Sequence, residues 1–223
     1  MSKLLVLGDS HTRSFSGVDN IYPIFLGNGK IINLSNTEYS NLYTQTLEVI
    51  QKLPEGDYKF FYKIGEPNIR YQINQDWNIH TDTNFVYKGI IDQRYLDQCI
   101  ENYKKIIDSL PYYFYIITPT TALSYSLDAL EYFNNKLIEV FGDRVINLYS
   151  KTISNKKIIN KFLGSDNDPI HLNSKIGNLF VKTLYENKII PNMDYYKVNK
   201  LNFNSLELKE AFWQNKFGTL KLK

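Results

Sequence analysis

Cysteine, histidine and arginine are all scarce in this chain, and each scarcity excludes a class of protein. There is one cysteine, Cys99, so no internal disulfide can form. With three histidines beside it, a zinc-ribbon architecture is also excluded. Of the 26 basic residues only Arg13, Arg70, Arg94 and Arg144 are arginine. Nucleic-acid readers lean on arginine for bidentate contacts to bases and phosphates, so no nucleic-acid partner is expected. Long apolar runs are missing too. The first, Leu4 to Leu7, stops at Gly8, too short for a leader core or a membrane span. With the unpaired thiol, this leads us to expect a cytoplasmic protein without a membrane span, with release by lysis if it is a phage or viral product.

What is present is ample apolar and aromatic material. Hydrophobic residues make up 43% of the 223 positions, including 18 Tyr and 13 Phe, enough for one large core without a structural metal. The net charge of +3 is uneven, with 17 of the 23 acidic residues before residue 150 and half of the basic ones after it. The lysine-rich end is expected to be a solvated surface.

Short β-branched and aromatic runs alternate with segments of helical period, the pattern of βαβ units and a mostly parallel sheet. The expected strands are residues 3–7, 30–34, 58–64, 112–118 and 144–148, and the expected helices 40–53, 96–110, 126–141 and 173–187. Gly142 supplies a helix stop. The stretch from Gly65 to about Gly89 is polar and poor in helical period, and is expected to be a long loop holding Trp77 and His80. Residues 1–190 are expected to form one α/β domain, with 191–223 an extension packed on it.

Two short blocks bear chemistry. Gly8-Asp9-Ser10-His11 follows the first strand directly, which puts a hydroxyl at the carboxyl edge of a parallel sheet, where such folds bind ligands. Asp168-Pro169-Ile170-His171 precedes the last expected helix and offers a base with a carboxylate three residues before it. Either block alone arises easily by chance, but the pair in one chain has a chance of under about 1%. Asp9 or Ser10 as a plain helix cap is the competing reading of the first block. His11 is expected to be a wall or helix-start residue, His80 an exposed one, and Cys99 a buried thiol on a helix face.

On these two blocks the chain resembles the SGNH, or GDSL-type, hydrolases over residues 3 to about 187. The resemblance implies a flavodoxin-like three-layer α/β/α sandwich with a five-stranded mostly parallel sheet. It also implies a catalytic Ser10, with His171 as general base and Asp168 as its orienter. For the oxyanion hole it implies backbone or amide donors at Ser10, Ser35, Gly65 and Asn68. The second block, Ile32-Asn33-Leu34-Ser35-Asn36-Thr37, lacks the family's glycine. The third, Gly65-Glu66-Pro67-Asn68-Ile69-Arg70, places a proline at the family's amide position and is similar to the subset with Gly-Glu-Ile-Asp-x-Arg there. The activity implied is serine ester hydrolysis, with a small acyl group such as acetyl leaving a carbohydrate or related alcohol. No metal and no organic cofactor is implied, and the expected partner is a small-molecule or glycan ester. Transfer of the acyl group to a sugar hydroxyl, or glycan binding without catalysis, are the alternatives.

Overall fold

A computed structural model of the chain describes residues 1–26, 31, 42–73, 91–121, 127–164 and 171–197, with backbone alone for 71–73. Strand β1, Lys3–Gly8, sits at the middle of the fold and pairs in parallel with both β2, Ile21–Phe25, and β3, Tyr58–Lys63. Beyond β3 come β4, Phe114–Ile117, and β5, Val145–Ile146, giving a five-stranded parallel sheet in the order β2-β1-β3-β4-β5. A central parallel strand is covered on both faces, so its sequence runs apolar without alternation. Leu4, Leu5, Val6 and Leu7 are accordingly all fully buried.

The second strand departs from the expected 30–34. It lies at Ile21–Phe25, while Ile31 sits in a bend and most of the expected stretch lies outside the described residues. Pro23 disguises this strand, because a proline cannot donate to a ladder. On the sheet edge the loss is harmless: among the described residues β2 has a neighbour only in β1, where Pro23 faces Val6.

Helices α1, Leu42–Gln51, α2, Glu66–Ile73, α3, Gln93–Ser109, and α4, Leu127–Phe141, pack on one another on one side of the sheet. A short turn α5, Tyr149–Thr152, leads into a hairpin of β6, Ile153–Ser154, and β7, Lys157–Ile158. Helix α6, Lys175–Glu186, packs on a 3-10 turn at Ser10–Phe15. Successive residues of a strand point to opposite faces, which β3 shows directly. Phe61 meets Phe180 of α6 edge-on at 5.1 Å, and Tyr62 meets Tyr103 of α3 at 5.8 Å. The result is a three-layer α/β/α sandwich of the flavodoxin type. Each buried aromatic of this kind contributes on the order of 2 kcal/mol through the area it removes from water.

Periodicity located α3 well, with Leu96, Cys99, Ile100, Tyr103, Ile106 and Ile107 buried along one face. It missed α2, which occupies the start of the expected polar loop; residues 74–90, His80 among them, lie outside the described residues. Pro67 falls in the first turn of α2, where a missing N–H costs nothing to the helix ladder. After α6 the chain returns to the start of the sheet. Tyr196 donates its hydroxyl to Ser2 O at 2.7 Å, and Asn20 Nδ2 donates to Tyr195 O at 2.9 Å. Residues 198–223 lie outside the described residues. Among the described residues no helix is long and apolar enough to cross a membrane.

Candidate active site

The order in which strands are added reverses at β1, with β2 on one side of it and β3 on the other, so the crevice at the carboxyl ends of β1 and β3 is the natural ligand position of this parallel topology. The two strand ends approach so closely there that only glycine fits at position 8. A Cβ on Gly8 would lie 1.8 Å from the carbonyl oxygen of Lys63. Asp9 N donates to that same oxygen at 3.2 Å, and Asp9 then caps the 3-10 turn by accepting from His11 N at 2.9 Å. Asp9 thus does the capping, which leaves the Ser10 side chain for other contacts.

Ser10 Oγ stands 2.9 Å from His171 Nε2, across 161 residues of sequence. Both residues are half-buried, while the rest of the turn from His11 to Phe15 is buried. Ser14 ties the two segments directly, and Asn173 anchors the His171 segment to residues 161–163. Ser14 Oγ donates to Leu172 O at 3.1 Å, next to His171. Asn173 Nδ2 donates to Lys161 O and Leu163 O, each at 2.8 Å, and Asn173 N donates to Phe162 O. Helix α6 comes so near the turn that a Cβ on Gly177 would meet Val18 at 2.8 Å, and Phe15 packs edge-on against Phe180 at 4.9 Å.

Asp168 and Ser35 lie outside the described residues. The third block does arrive at the crevice, since β3 ends at Lys63 and α2 begins at Glu66. Gly65 starts the helix with its carbonyl accepting from Ile69 N at 3.0 Å. The Asn68 amide is fully buried: Oδ1 accepts from Ile31 N at 2.8 Å, and Nδ2 donates to Tyr95 Oη at 2.9 Å. It ties α2 to α3 and to the segment at Ile31. Cys99 is fully buried, and burial pushes its thiol up to about 12, which makes it inert as a nucleophile.

Sequence reading missed a buried charged cluster beneath the pair. Glu66 Oε2 is 3.0 Å from His11 Nε2 and 3.1 Å from Arg70 Nη2. Burial alone would raise the Glu66 carboxyl, but the Arg70 guanidinium and His11 outweigh it and hold it down at about 2. Burial drives His11 down to about 3, against the pull of Glu66, so the imidazole is neutral near pH 7 with its Nε2 beside the carboxylate. Deeper still, burial raises the Asp9 carboxyl and lowers the Lys63 ammonium, each opposed by the other's charge. Lys63 Nζ donates to Thr120 Oγ1 at 3.0 Å. The one available sequence signal was the spacing of Glu66 and Arg70 by four residues, an ion-pair spacing on a helix.

Among the described residues no group of three or more His, Cys, Asp or Glu side chains is placed to hold a metal ion. A hydroxyl in hydrogen-bond contact with an imidazole, both within reach of solvent, can pass its proton to the ring as it attacks an electrophile. No family model matches the chain, and no curated protein matches it either.

Proposed function

We propose that the protein is a serine-dependent ester hydrolase of the SGNH type, removing a small acyl group such as acetyl from a carbohydrate or related alcohol. The observation that carries this reading is the 2.9 Å contact between Ser10 Oγ and His171 Nε2 at the carboxyl edge of β1. In the reaction, Ser10 Oγ attacks the ester carbonyl while His171 Nε2 takes the hydroxyl proton. The tetrahedral intermediate collapses, and His171 returns that proton to the departing alcohol. Water then gives a proton to His171 as its oxygen attacks the acyl carbon, and His171 passes that proton to Ser10 Oγ as the C–Oγ bond breaks and the acid leaves. Asp168 is the expected orienter of His171. His11 is unsuited as the base, since its Nε2 is turned to Glu66 inside the protein.

A second reading is an SGNH-fold module that binds glycans or serves in assembly with little or no catalysis. It is favoured by the third block, where Pro67 has no N–H and the Asn68 amide is engaged by Ile31 and Tyr95. Loss of one oxyanion donor costs about a hundredfold or more in rate. An O-acyltransferase would use the same residues, with a sugar hydroxyl in place of water.

A fluorophosphonate probe separates these readings. The esterase reading expects covalent labelling of the intact protein, lost in Ser10→Ala, together with turnover of aryl acetates. A folded protein with neither labelling nor turnover is a binding module. Labelling with acetyl appearing on an added saccharide, in place of free acetate, identifies the transferase.

A further inference from the structure

Behind the Ser10 and His171 pair runs a buried row of side chains that proton transfer between the two does not itself require. Arg70 contacts Glu66 and Glu66 contacts His11, at 3.1 and 3.0 Å through the same carboxylate oxygen. The His11 ring then packs on the His171 ring, with centroids 4.5 Å apart and planes inclined by 34°. His11 and Glu66 are each 2% exposed and Arg70 8%, so water screens none of these contacts. Removing two charges from water costs several kcal/mol per ion before their attraction is counted, which makes stability a poor reason for the row. Its end position, against the imidazole that must accept a proton, supplies a better one.

We infer that Glu66 and His11 are positioning residues for His171: Arg70 fixes the Glu66 carboxylate, Glu66 fixes the orientation and tautomer of His11, and His11 is the ring on which His171 rests. The row has two consequences. The neutral His11 ring restricts the swing of the His171 imidazole and keeps Nε2 toward Ser10. The Glu66 carboxylate places a buried negative charge one ring away from His171, favouring the imidazolium that forms as Ser10 loses its proton. The two groups attract each other, His171 being among the groups that hold the Glu66 carboxyl low. Among the described residues, the other charged groups acting on the row are Asp9 at the start of the turn and Lys63 at the end of β3, and both are retained in every variant below.

This inference builds on the proposed esterase reading in assigning His171 a proton to carry, but its test needs no turnover. Imidazole NMR of the full chain, titrated between pH 4 and 9, follows each ring. In the wild type, His11 is expected to remain the neutral Nε2–H tautomer throughout the range in which His171 titrates. In Glu66→Gln, the His171 pKa is expected to fall by about 0.5 to 1 unit, and Glu66→Asp to recover most of the change. A His11 that titrates together with His171, or a folded Glu66→Gln protein whose His171 pKa moves by less than about 0.2 unit, overturns the inference. Should Glu66→Gln not fold, the wild-type tautomer and the Glu66→Asp titration decide the matter. A protein that no fluorophosphonate labels but whose His171 pKa falls as stated keeps this inference and loses the esterase reading. Labelling with an unmoved His171 does the reverse.

Discussion

Adding one methyl group at Gly8 tests whether the close approach of β1 and β3 builds the site. In Gly8→Ala the new Cβ would lie 1.8 Å from Lys63 O and 2.7 Å from Lys63 C, where ordinary contact begins near 3.4 Å. Both obstacles are backbone, so no rotamer change relieves them, and the strands must part at the Gly8–Lys63 register pair. That movement breaks the Asp9 N to Lys63 O bond and shifts Ser10 two residues on. Overpacking against a rigid wall together with a lost buried hydrogen bond costs about 3 kcal/mol or more. For a domain of this size that lowers Tm by roughly 6 to 12 °C. The control is Gly142→Ala, where φ is +56° and a Cβ meets nothing within 4 Å. There only the left-handed backbone is penalised, at about 1 to 2 kcal/mol. Urea unfolding of both variants, with fluorophosphonate labelling of the folded protein, makes the comparison. If Gly8→Ala costs no more than Gly142→Ala, or labels at the wild-type rate, the steric argument for the site is refuted.

Two further outcomes follow from burial. Cys99 is expected to resist a water-soluble disulfide reagent in the native protein and to react once on unfolding, because its thiol is buried and held near 12; reaction at the rate of a free thiol in native buffer would contradict the core placement. His11 is neutral when folded to about pH 3 and protonates near 6.5 when unfolded, so between these values the unfolded state binds the extra proton and stability falls as pH falls. One such proton is worth at most about 1.4 kcal/mol per pH unit. Asp9, raised by burial, acts in the opposite sense below neutrality, since the folded state holds its proton. His11→Gln is therefore expected to lose less stability than the wild type between pH 7 and pH 4 in urea titrations, and an equal loss in both would contradict the neutral, buried assignment.

The parts of the fold legible in the sequence are those set by local pattern. The apolar run of β1 announces a strand covered on both faces, and the spacing of Leu96, Cys99, Ile100, Tyr103 and Ile107 announces a helix with one buried side. The edge strand Ile21–Phe25 was hidden because Pro23 is tolerated only where a neighbour is missing, and sequence does not state which strand lies at the edge. Helix α2 was hidden because its window from Glu66 is short and polar, and its place is fixed by tertiary ties such as Asn68 to Ile31 and Tyr95.

For the site, the sequence alone determined the identity and order of the proposed reacting groups: a Gly-Asp-Ser block after the first strand and a histidine before the last helix, each a local feature of strand end and helix start. Tertiary structure decided that Ser10 and His171 meet, because that depends on α6 closing over the 3-10 turn at Gly177 and on Asn173 latching its segment. It also decided what lies beneath them. Glu66 is 55 residues from His11, and no local rule pairs the two. Their contact arises because β1 and β3 are neighbours in the sheet and deliver the turn and α2 to one end of it. At that end burial lowers the His11 imidazole, while Arg70 and His11 lower the Glu66 carboxyl, from their ordinary values in water.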